Sequence, residues 1–367
     1  MKVRLGDVAT YINGYAFKPE DWSDSGLPII RIQDLTGNSY KTNRFSGKYD
    51  KKFEVNDGDI LISWSASIGV YIWRGEKAIL NQHIFKVKFD KQVNICKKFF
   101  IYQVENILKK AILETHGATM KHLTKPVFDS LPFYLPDIKK QNEISAILDK
   151  ISEIISLRQQ QLKKLDELVK SRFIEMFGDP ILNQKGFPCF KIGEIIEFQG
   201  GSQPDKKFFE YEPSEDNIRL IQIRDYKSDN YITYIPKSMA KRFCSIDDIM
   251  IGRYGPPIFQ ILGGLKGAFN VALMKAIPKA GNREFIRYFL KQECLLKYLE
   301  GLSKRTAGQD GIQMDKLKAY PFPFPPIELQ NEFADFVKQT DKSKLEIQKS
   351  LDKLEILKKS LMQQYFG

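Results

Sequence analysis

The residues with the most obvious chemical potential are two acidic pairs, Asp57 with Asp59 and Asp247 with Asp248. Carboxylates so spaced can in principle share magnesium, a hard cation that takes oxygen ligands. The intervening Gly58 favours another reading, a turn leading into Ile60-Leu61-Ile62, because Asp and Gly suit turn geometry. Gly255-Pro256-Pro257-Ile258 shares a Pro-Pro core with the loop of amino-methyltransferases. That loop opens with Asn or Asp, whose side chain accepts hydrogen bonds from the target amine, and Gly255 offers none. No G-x-x-x-x-G-K-[ST] run is present to cradle phosphates, and no G-x-G-x-x-G joins a strand to a helix. Cys96, Cys189, Cys244 and Cys294 lack C-x-x-C spacing, and His83, His116 and His122 are scattered. Neither set suggests a metal centre or a redox motif. No Ser/His/Asp or Cys/His set stands out as a nucleophilic site. The sequence lacks a recognisable active site.

Its charge points elsewhere. The 367 residues carry 57 Lys and Arg against 45 Asp and Glu, a formal charge of +12. Such an excess favours a polyanionic partner, since each cation near a phosphate releases condensed counterions. Charge alone does not decide this, because many basic proteins bind no nucleic acid. The length favours two core-forming units. Scattered, unpaired cysteines fit reduced thiols in a cytosolic protein. No run of about 18 apolar residues exists, and Met1-Lys2-Val3-Arg4 leads straight into a strand-like pattern. The expectation is a cytoplasmic protein with no signal peptide and no membrane span.

The elements that would position any binding residues are written twice. Leu5-Gly6-Asp7-Val8 returns as Ile192-Gly193-Glu194-Ile195, and Ile29-Ile30-Arg31-Ile32-Gln33-Asp34 as Leu220-Ile221-Gln222-Ile223-Arg224-Asp225. Asp59-Ile60-Leu61-Ile62 pairs with Asp248-Ile249-Met250-Ile251, and Leu131-Pro132-Phe133 with Tyr320-Pro321-Phe322. Gln141-Asn142-Glu143 recurs as Gln330-Asn331-Glu332, and Phe177-Gly178 as Phe366-Gly367. The offset is 187 from Gly6 to Gly193 and 191 from Asp34 to Asp225, then 189 at Pro132, Gln141 and Gly178. Small drifts that cancel imply loop insertions; the constant later offset implies helices of equal length. This is a tandem duplication.

Each copy has one plan. Short alternating segments such as Ile79 to Phe89, punctuated by Gly, Asn, Asp and Pro, read as mixed β structure. Peripheral helices are expected over Cys96–Leu113 and Arg283–Leu302. A proline-rich exit follows, stiff and non-helical because proline fixes φ and lacks an amide donor. The pattern then turns helical, without Pro or Gly, until Gly178 or Gly367. We expect an α+β chain: a first domain over 1–135, a long helix in 136–178, a second domain over 179–324 and a second helix in 325–367.

Apolar residues of the first helix fall at Ile144, Leu148, Ile151, Ile155, Leu162, Leu165, Val169 and Met176, interrupted by Arg158 and Arg172. The second shows Phe333, Val337, Ile347, Leu351, Leu354, Leu361 and Tyr365, with Thr340, Lys344 and Lys358 as weak points. Spacings of 3 and 4 make a heptad seam, so the helices are expected to pack together as an antiparallel two-helix coiled coil, giving an internal pseudo-two-fold duplication. Two unrelated surface helices are the plainer alternative. Equal length and a duplicated context favour pairing.

This order of elements resembles the specificity (S) subunit of type I restriction–modification enzymes over nearly the full chain. The carrying residues are Leu5-Gly6-Asp7, Gly58-Asp59-Ile60-Leu61-Ile62-Ser63, Leu135-Pro136 with Gln141-Asn142-Glu143, and their second-half partners. Each piece is weakly specific; their order at a fixed offset is strongly so. The resemblance implies two target-recognition domains, each reading one half of a bipartite, non-palindromic site in double-stranded DNA. It implies a helix pair that sets the spacing and docks two modification subunits, which methylate adenine with S-adenosylmethionine. Restriction subunits that cut with ATP and Mg would join them. The chain itself would carry no cofactor, no metal and no catalytic residue. Because it stops just after the second helix, fewer accessory contacts are expected than in members with extra terminal segments.

Within that frame, base edges call for Arg, Asn or Gln, and phosphates for Lys, Arg, hydroxyls and amides, most naturally on loops. In the first domain the candidates are Lys18, Arg31, Gln33, Lys41, Asn43, Arg44, Ser63, Trp64, Ser65, Gln82, Lys121 and His122. In the second they are Gln203, Lys206, Lys207, Gln222, Arg224, Arg253, Tyr254, Lys266, Asn270, Lys304, Arg305 and Gln309. Trp64 either stacks on DNA or closes a core edge, and Gln33 and Arg224 could instead bond within their own domains. The helix cations Lys163, Lys164, Arg172, Lys353, Lys358 and Lys359 read first as a solvated face and second as backbone contacts.

Two other function classes remain in view: an enzyme with unrecognised motifs, and a coiled-coil adaptor that binds only proteins. The sequence does not separate a type I recognition subunit from that of a type IIB system.

Overall fold

A computed structural model describes residues 1–114, 124–255, 257–303 and 311–367. The chain divides into two compact units, Met1–Gln159 with Ser350–Gly367, and Gln160–Lys349.

In the first unit Thr10–Asn13, Ile84–Lys88, Ile60–Ser63 and Gly69–Ile72 form an antiparallel sheet in that order. A second sheet runs Arg44–Phe45, Leu27–Ile30, Ala78–Leu80, Glu54–Val55, and its two central strands are parallel. The central strands Ile60–Ser63 and Ala78–Leu80 are buried throughout and Leu27–Ile30 nearly so, as apolar strands covered on both faces should be, while the edge strands Gly69–Ile72 and Arg44–Phe45 are mostly half-buried. The Asp-Gly-Asp stretch makes the expected turn: Asp59 Oδ2 accepts from Asn56 N at 2.9 Å, and Gly58 takes a positive φ of 84°. The proline-rich exit is a short strand, Pro132–Tyr134, pairing antiparallel with Lys2–Arg4.

The second unit repeats this plan. Ile196–Gly200, Leu273–Pro278, Ile249–Gly252 and Gln260–Leu262 make one sheet, and Tyr234–Pro236, Asn217–Ile221, Gly267–Phe269 and Phe243–Cys244 the other. Pro321–Pro323 pairs with Cys189–Lys191. The first peripheral helix is Lys97–Glu114, close to expectation. Its counterpart is not one helix but two, Arg283–Leu290 and Glu293–Ser303. The break lets both pieces turn an apolar face inward, with Phe285, Ile286, Phe289 and Leu290 from one and Leu295 and Leu299 from the other in one core.

The long helices span Ile138–Phe177 and Ile327–Phe366. The unit boundaries cut through both, whereas the sequence places limits at the proline-rich exits. The reason is packing, since each helix half joins the core of its own unit. Ile144, Leu148 and Met362 lie in the first unit's core, beside Leu361, Tyr365 and Phe366. Val169, Phe173, Phe177, Phe333 and Val337 lie in the second unit's core. Within the second unit the helices run antiparallel. Arg172 Nη2 meets Glu332 Oε1 at 2.8 Å, Lys344 Nζ meets Asp166 Oδ1 at 2.7 Å, and the Phe173 and Phe333 rings are 5.4 Å apart.

Of the seam residues, Ile144, Leu148, Ile151, Val169, Phe333, Val337 and Leu351 are buried. Ile155, Leu162, Leu165, Met176, Ile347, Leu354, Leu361 and Tyr365 are half-buried. Thr340 is buried in its stripe, its hydroxyl donating to the Phe336 carbonyl at 2.9 Å. The repeated glutamine has a structural task. Gln141, fully buried, accepts from Cys96 N and donates to the Asn94 and Pro136 carbonyls. Gln330, also fully buried, accepts from Asn282 N and donates to Pro325 O. In each unit one carboxamide clips the start of the long helix to the proline-rich exit and to the approach of the peripheral helix.

Candidate nucleic-acid interface

Strand direction decides which loops gather. In the first unit Asn13 stands opposite Phe85, and Ser63 stands opposite both Ile84 and Gly69. The parallel strands ending at Ile30 and Leu80 finish at the same end, where Asn81 N donates to Ile30 O and Tyr15 N to Leu80 O. Four connections therefore share one end: Gly14–Lys18, Arg31–Asn43, Trp64–Ile68 and Asn81–His83. They carry Lys18, Arg31, Gln33, Lys41, Asn43, Trp64, Ser65 and Gln82, with Ser63 at its strand's end.

The second unit builds the same end. Gly200 stands opposite Met274, and Gly252 opposite Leu273 and Gln260, while Asn270 N donates to Ile221 O and Arg253 N to Ala272 O. Gln203, Gln222, Arg224, Arg253, Tyr254 and Asn270 are thereby brought together. Lys206 and Lys207 follow in a short 3-10 turn, exposed. Lys121, His122, Lys304, Arg305 and Gln309 lie outside the described residues.

Several candidates are occupied by the fold itself. Ser63 is fully buried and its hydroxyl donates to Ser65 O at 3.0 Å, so it shapes the hairpin. Trp64 closes a core edge, its ring 4.9 Å from His83 and 5.7 Å from Phe85. Asn43 is buried, and Asn270 is buried with its carbonyl oxygen accepting from Ala272 N at 3.2 Å. Arg44 points away from the loop end, its guanidinium bridging Gly26 O at 2.8 Å and Glu76 at 2.7 Å. Lys266 precedes Gly267–Phe269, whose far end carries the loops, so it too stands apart.

The arginines are partly engaged. Arg31 donates to Lys41 O at 2.8 Å and to Asp34 at 3.4 Å. Arg224 donates to Tyr231 O and Thr233 Oγ1, both at 3.2 Å, and Gln222 Nε2 reaches the same hydroxyl at 3.2 Å. Asp225 lies beneath them, and its Oδ2 accepts from Gln222 N at 3.0 Å. Burial pushes its carboxyl above the usual carboxylate range, against the pull of Gln222 N and of Arg219 and Arg224. Exposed at this end are Lys18, Gln33, Lys41, Gln203, Lys206, Lys207 and Tyr254, with Gln82 and Arg253 half-buried. Lys18, Lys41 and Lys207 hold solvent-exposed ion pairs, with Glu20, Asp24 and Asp205, which water and salt screen and a phosphate can replace. Lysines and amides facing solvent beside an aromatic suit phosphate and base-edge contacts.

Sequence reasoning missed the glycines that let the loops approach. A β-carbon on Gly14 would stand 2.0 Å from Asn81 O, and one on Gly201 would stand 1.9 Å from Asn270 O. Gly14 and Gly201 differ by 187, the offset already seen at Gly6 and Gly193, so the signal was present.

Among the described residues no group of three or more His, Cys, Asp or Glu is placed to hold a metal ion. No described helix is long and apolar enough to cross a membrane.

The duplication has a counterpart in known proteins. The family model for the type I restriction modification DNA specificity domain matches twice, over residues 1–167 and 184–357. The type I restriction enzyme MjaVIII specificity subunit of Methanocaldococcus jannaschii is 24% identical over 404 aligned residues, covering 98% of this chain and 90% of that one. The EcoBI specificity subunit of Escherichia coli is 22% identical over 415, covering 100% and 85%. The crystal structure of a type I restriction–modification S subunit from M. genitalium shares the fold, with a TM-score of 0.56 at 16% identity, covering 100% of this chain and 96% of that one. Two copies of one domain agree with the double match, which spans most of the sequence, and the chain belongs to the type I restriction–modification DNA specificity family.

Proposed function

We propose that the chain is the non-catalytic DNA-recognition subunit of a type I restriction–modification complex, in which each unit reads one half of a bipartite, non-palindromic site. The observation that carries this reading is the same set of loops gathered at one end of both units, offering exposed Lys and Gln to a duplex. Base readout would fall to Gln33, Gln82, Gln203 and Arg253, and phosphate contact to Lys18, Lys41, Lys206 and Lys207.

The long helices dock two modification subunits and set the spacing between half-sites. Supporting this, Ile147, Leu157, Leu168, Ile174, Leu345, Ile356 and Leu357 are exposed on helices whose opposite stripe is already buried. Apolar residues in water along a helix favour a partner helix or groove. S-adenosylmethionine would sit in the modification subunits, and ATP and Mg would serve the restriction subunits. The cytoplasm, where DNA is met, would be the site of action.

The test is a salt-dependent gel shift of the chain with its modification subunits, followed by methylome sequencing of cells with and without the gene. Replacing residues 1–135 with another member's domain should change one half-site and leave the other. Methyl transfer from labelled S-adenosylmethionine by the purified chain alone would contradict a non-catalytic role.

A further inference from the structure

The loop after each leading parallel strand ends in an exposed tyrosine that the charged candidates leave unexplained. In the first unit the connection from Ile32–Leu35 to Arg44–Phe45 leaves Tyr40 104% exposed. In the second, the connection from Ile223–Tyr226 to Tyr234–Pro236 leaves Tyr231 68% exposed. The two tyrosines differ by 191 positions, as do Asp34 and Asp225 in the preceding turns.

Each loop is tied by an arginine. Arg31 Nη2 donates to Lys41 O at 2.8 Å, next to Tyr40, and Arg224 Nη2 donates to Tyr231 O at 3.2 Å. An acid steadies each arginine: Asp34 lies 3.4 Å from Arg31 and Asp225 lies 3.8 Å from Arg224. The Arg224 guanidinium also stands 5.8 Å from the centre of the Tyr231 ring.

A single exposed aromatic is ordinary on a protein surface. Two in the corresponding loop of each unit, within one position of each other when counted from the returning strand, on loops fastened by arginines from different repeat positions and at the end that gathers the other candidates, are not scatter. A tied loop loses less entropy when it binds, so its contact energy is not spent on ordering. Tyrosine brings a flat apolar face with few rotatable bonds. At a basic, amide-rich end the fitting counterpart is the sugar or base face of a nucleic acid.

We propose that Tyr40 and Tyr231 are matched DNA-contacting residues, one for each half-site, whose rings pack on sugar or base faces of the bound duplex. This rests on the reading of the chain as a DNA-recognition subunit.

The test uses the full chain assembled with its modification subunits, and duplexes with both half-sites intact or with one scrambled. Tyr40→Ala and Tyr231→Ala should each weaken binding to the intact site about tenfold, the scale of a lost aromatic–base contact. Tyr40→Phe and Tyr231→Phe should stay within about twofold, because the ring and not the hydroxyl makes the contact. Scrambling the half-site read by the first unit should abolish the effect of Tyr40→Ala and leave that of Tyr231→Ala, as coupled partners require. Alanine variants that bind like wild type would overturn the inference, as would variants that weaken both half-sites equally. So would variants that fail to assemble before DNA is added, which would mark the loops as protein contacts. A wild-type complex unable to distinguish intact from scrambled duplex would defeat the recognition reading itself.

Discussion

Gln141 and Cys96, 45 residues apart, are joined by a hydrogen bond of 2.9 Å from the Cys96 amide to the buried Gln141 side chain. The same carboxamide spends both of its N–H groups on the Asn94 and Pro136 carbonyls, at 3.0 and 2.8 Å. Gln141→Ala would remove the side-chain partner of one amide and two carbonyls in a part-buried setting. The expected loss is about 1–3 kcal/mol, the scale of lost hydrogen bonds whose partners water only partly reaches. Gln330→Ala should do the same in the second unit, and urea unfolding of the two variants measures both.

Gly14 and Gly201 admit no side chain. A methyl at either position would collide with a backbone carbonyl, which cannot rotate away as a flexible side chain can. Gly14→Ala should cost about 1–3 kcal/mol from overpacking and displace the Gly14–Lys18 loop. DNA affinity should then fall at the first unit's half-site more than at the second's, read by gel shift on singly scrambled duplexes.

In the helix pair of the second unit, apolar packing should outweigh charge. Phe333 is fully buried against Phe173, Phe177 and Tyr288, whereas Glu332 meets Arg172 at the surface. Phe333→Ala should destabilise by about 3–5 kcal/mol. Glu332→Ala should cost far less than Phe333→Ala, because exposed ion pairs are screened by water and salt. Thermal unfolding of the pair checks the ranking, and a reversed order would mean that the helices are held by charge.

The cysteines should differ in reactivity. Burial, helped by the nearby Asp248 carboxylate, pushes the Cys244 thiol up to about 11. At pH 8 only about one such thiol in a thousand is thiolate, the reactive form. Cys189 is exposed. Iodoacetamide at pH 8 should label Cys189 and spare Cys244, and Cys244 labelling should rise as pH climbs toward 11. Mass spectrometry of the tryptic peptides reads the outcome.

A charge on the outer helix face should block assembly without harming the fold. Ile356 is 69% exposed and opposite the buried stripe of its helix. Ile356→Glu should change stability by less than about 0.5 kcal/mol, as surface substitutions do. Copurification with the modification subunits should fall at least tenfold if that face docks them.

The sequence by itself determined the duplication, the two long helices, their apolar stripes and the family. Those properties are periodic or repeated along the chain, so residue numbers alone carry them. Leu148 and Val337 were legible as seam residues because spacings of 3 and 4 already place them on one face. The tertiary structure alone decided which polar side chains are free. Ser63, Asn43 and Asn270 look like readers of bases in one dimension, yet the fold buries all three. Arg44 is claimed by Glu76, 32 residues away, and Trp64 is held against the core by Phe85. A hydrogen-bonding group is available to DNA only if burial or a shielded partner has not taken it, and the residues that bury these come from distant strands. For the same reason the repeat offset could pair Tyr40 with Tyr231 but could not show that either is exposed, since exposure is a property of what fails to cover a ring. The break between Arg283–Leu290 and Glu293–Ser303 has no Pro or Gly to announce it and follows from the shape of the core that both pieces cover.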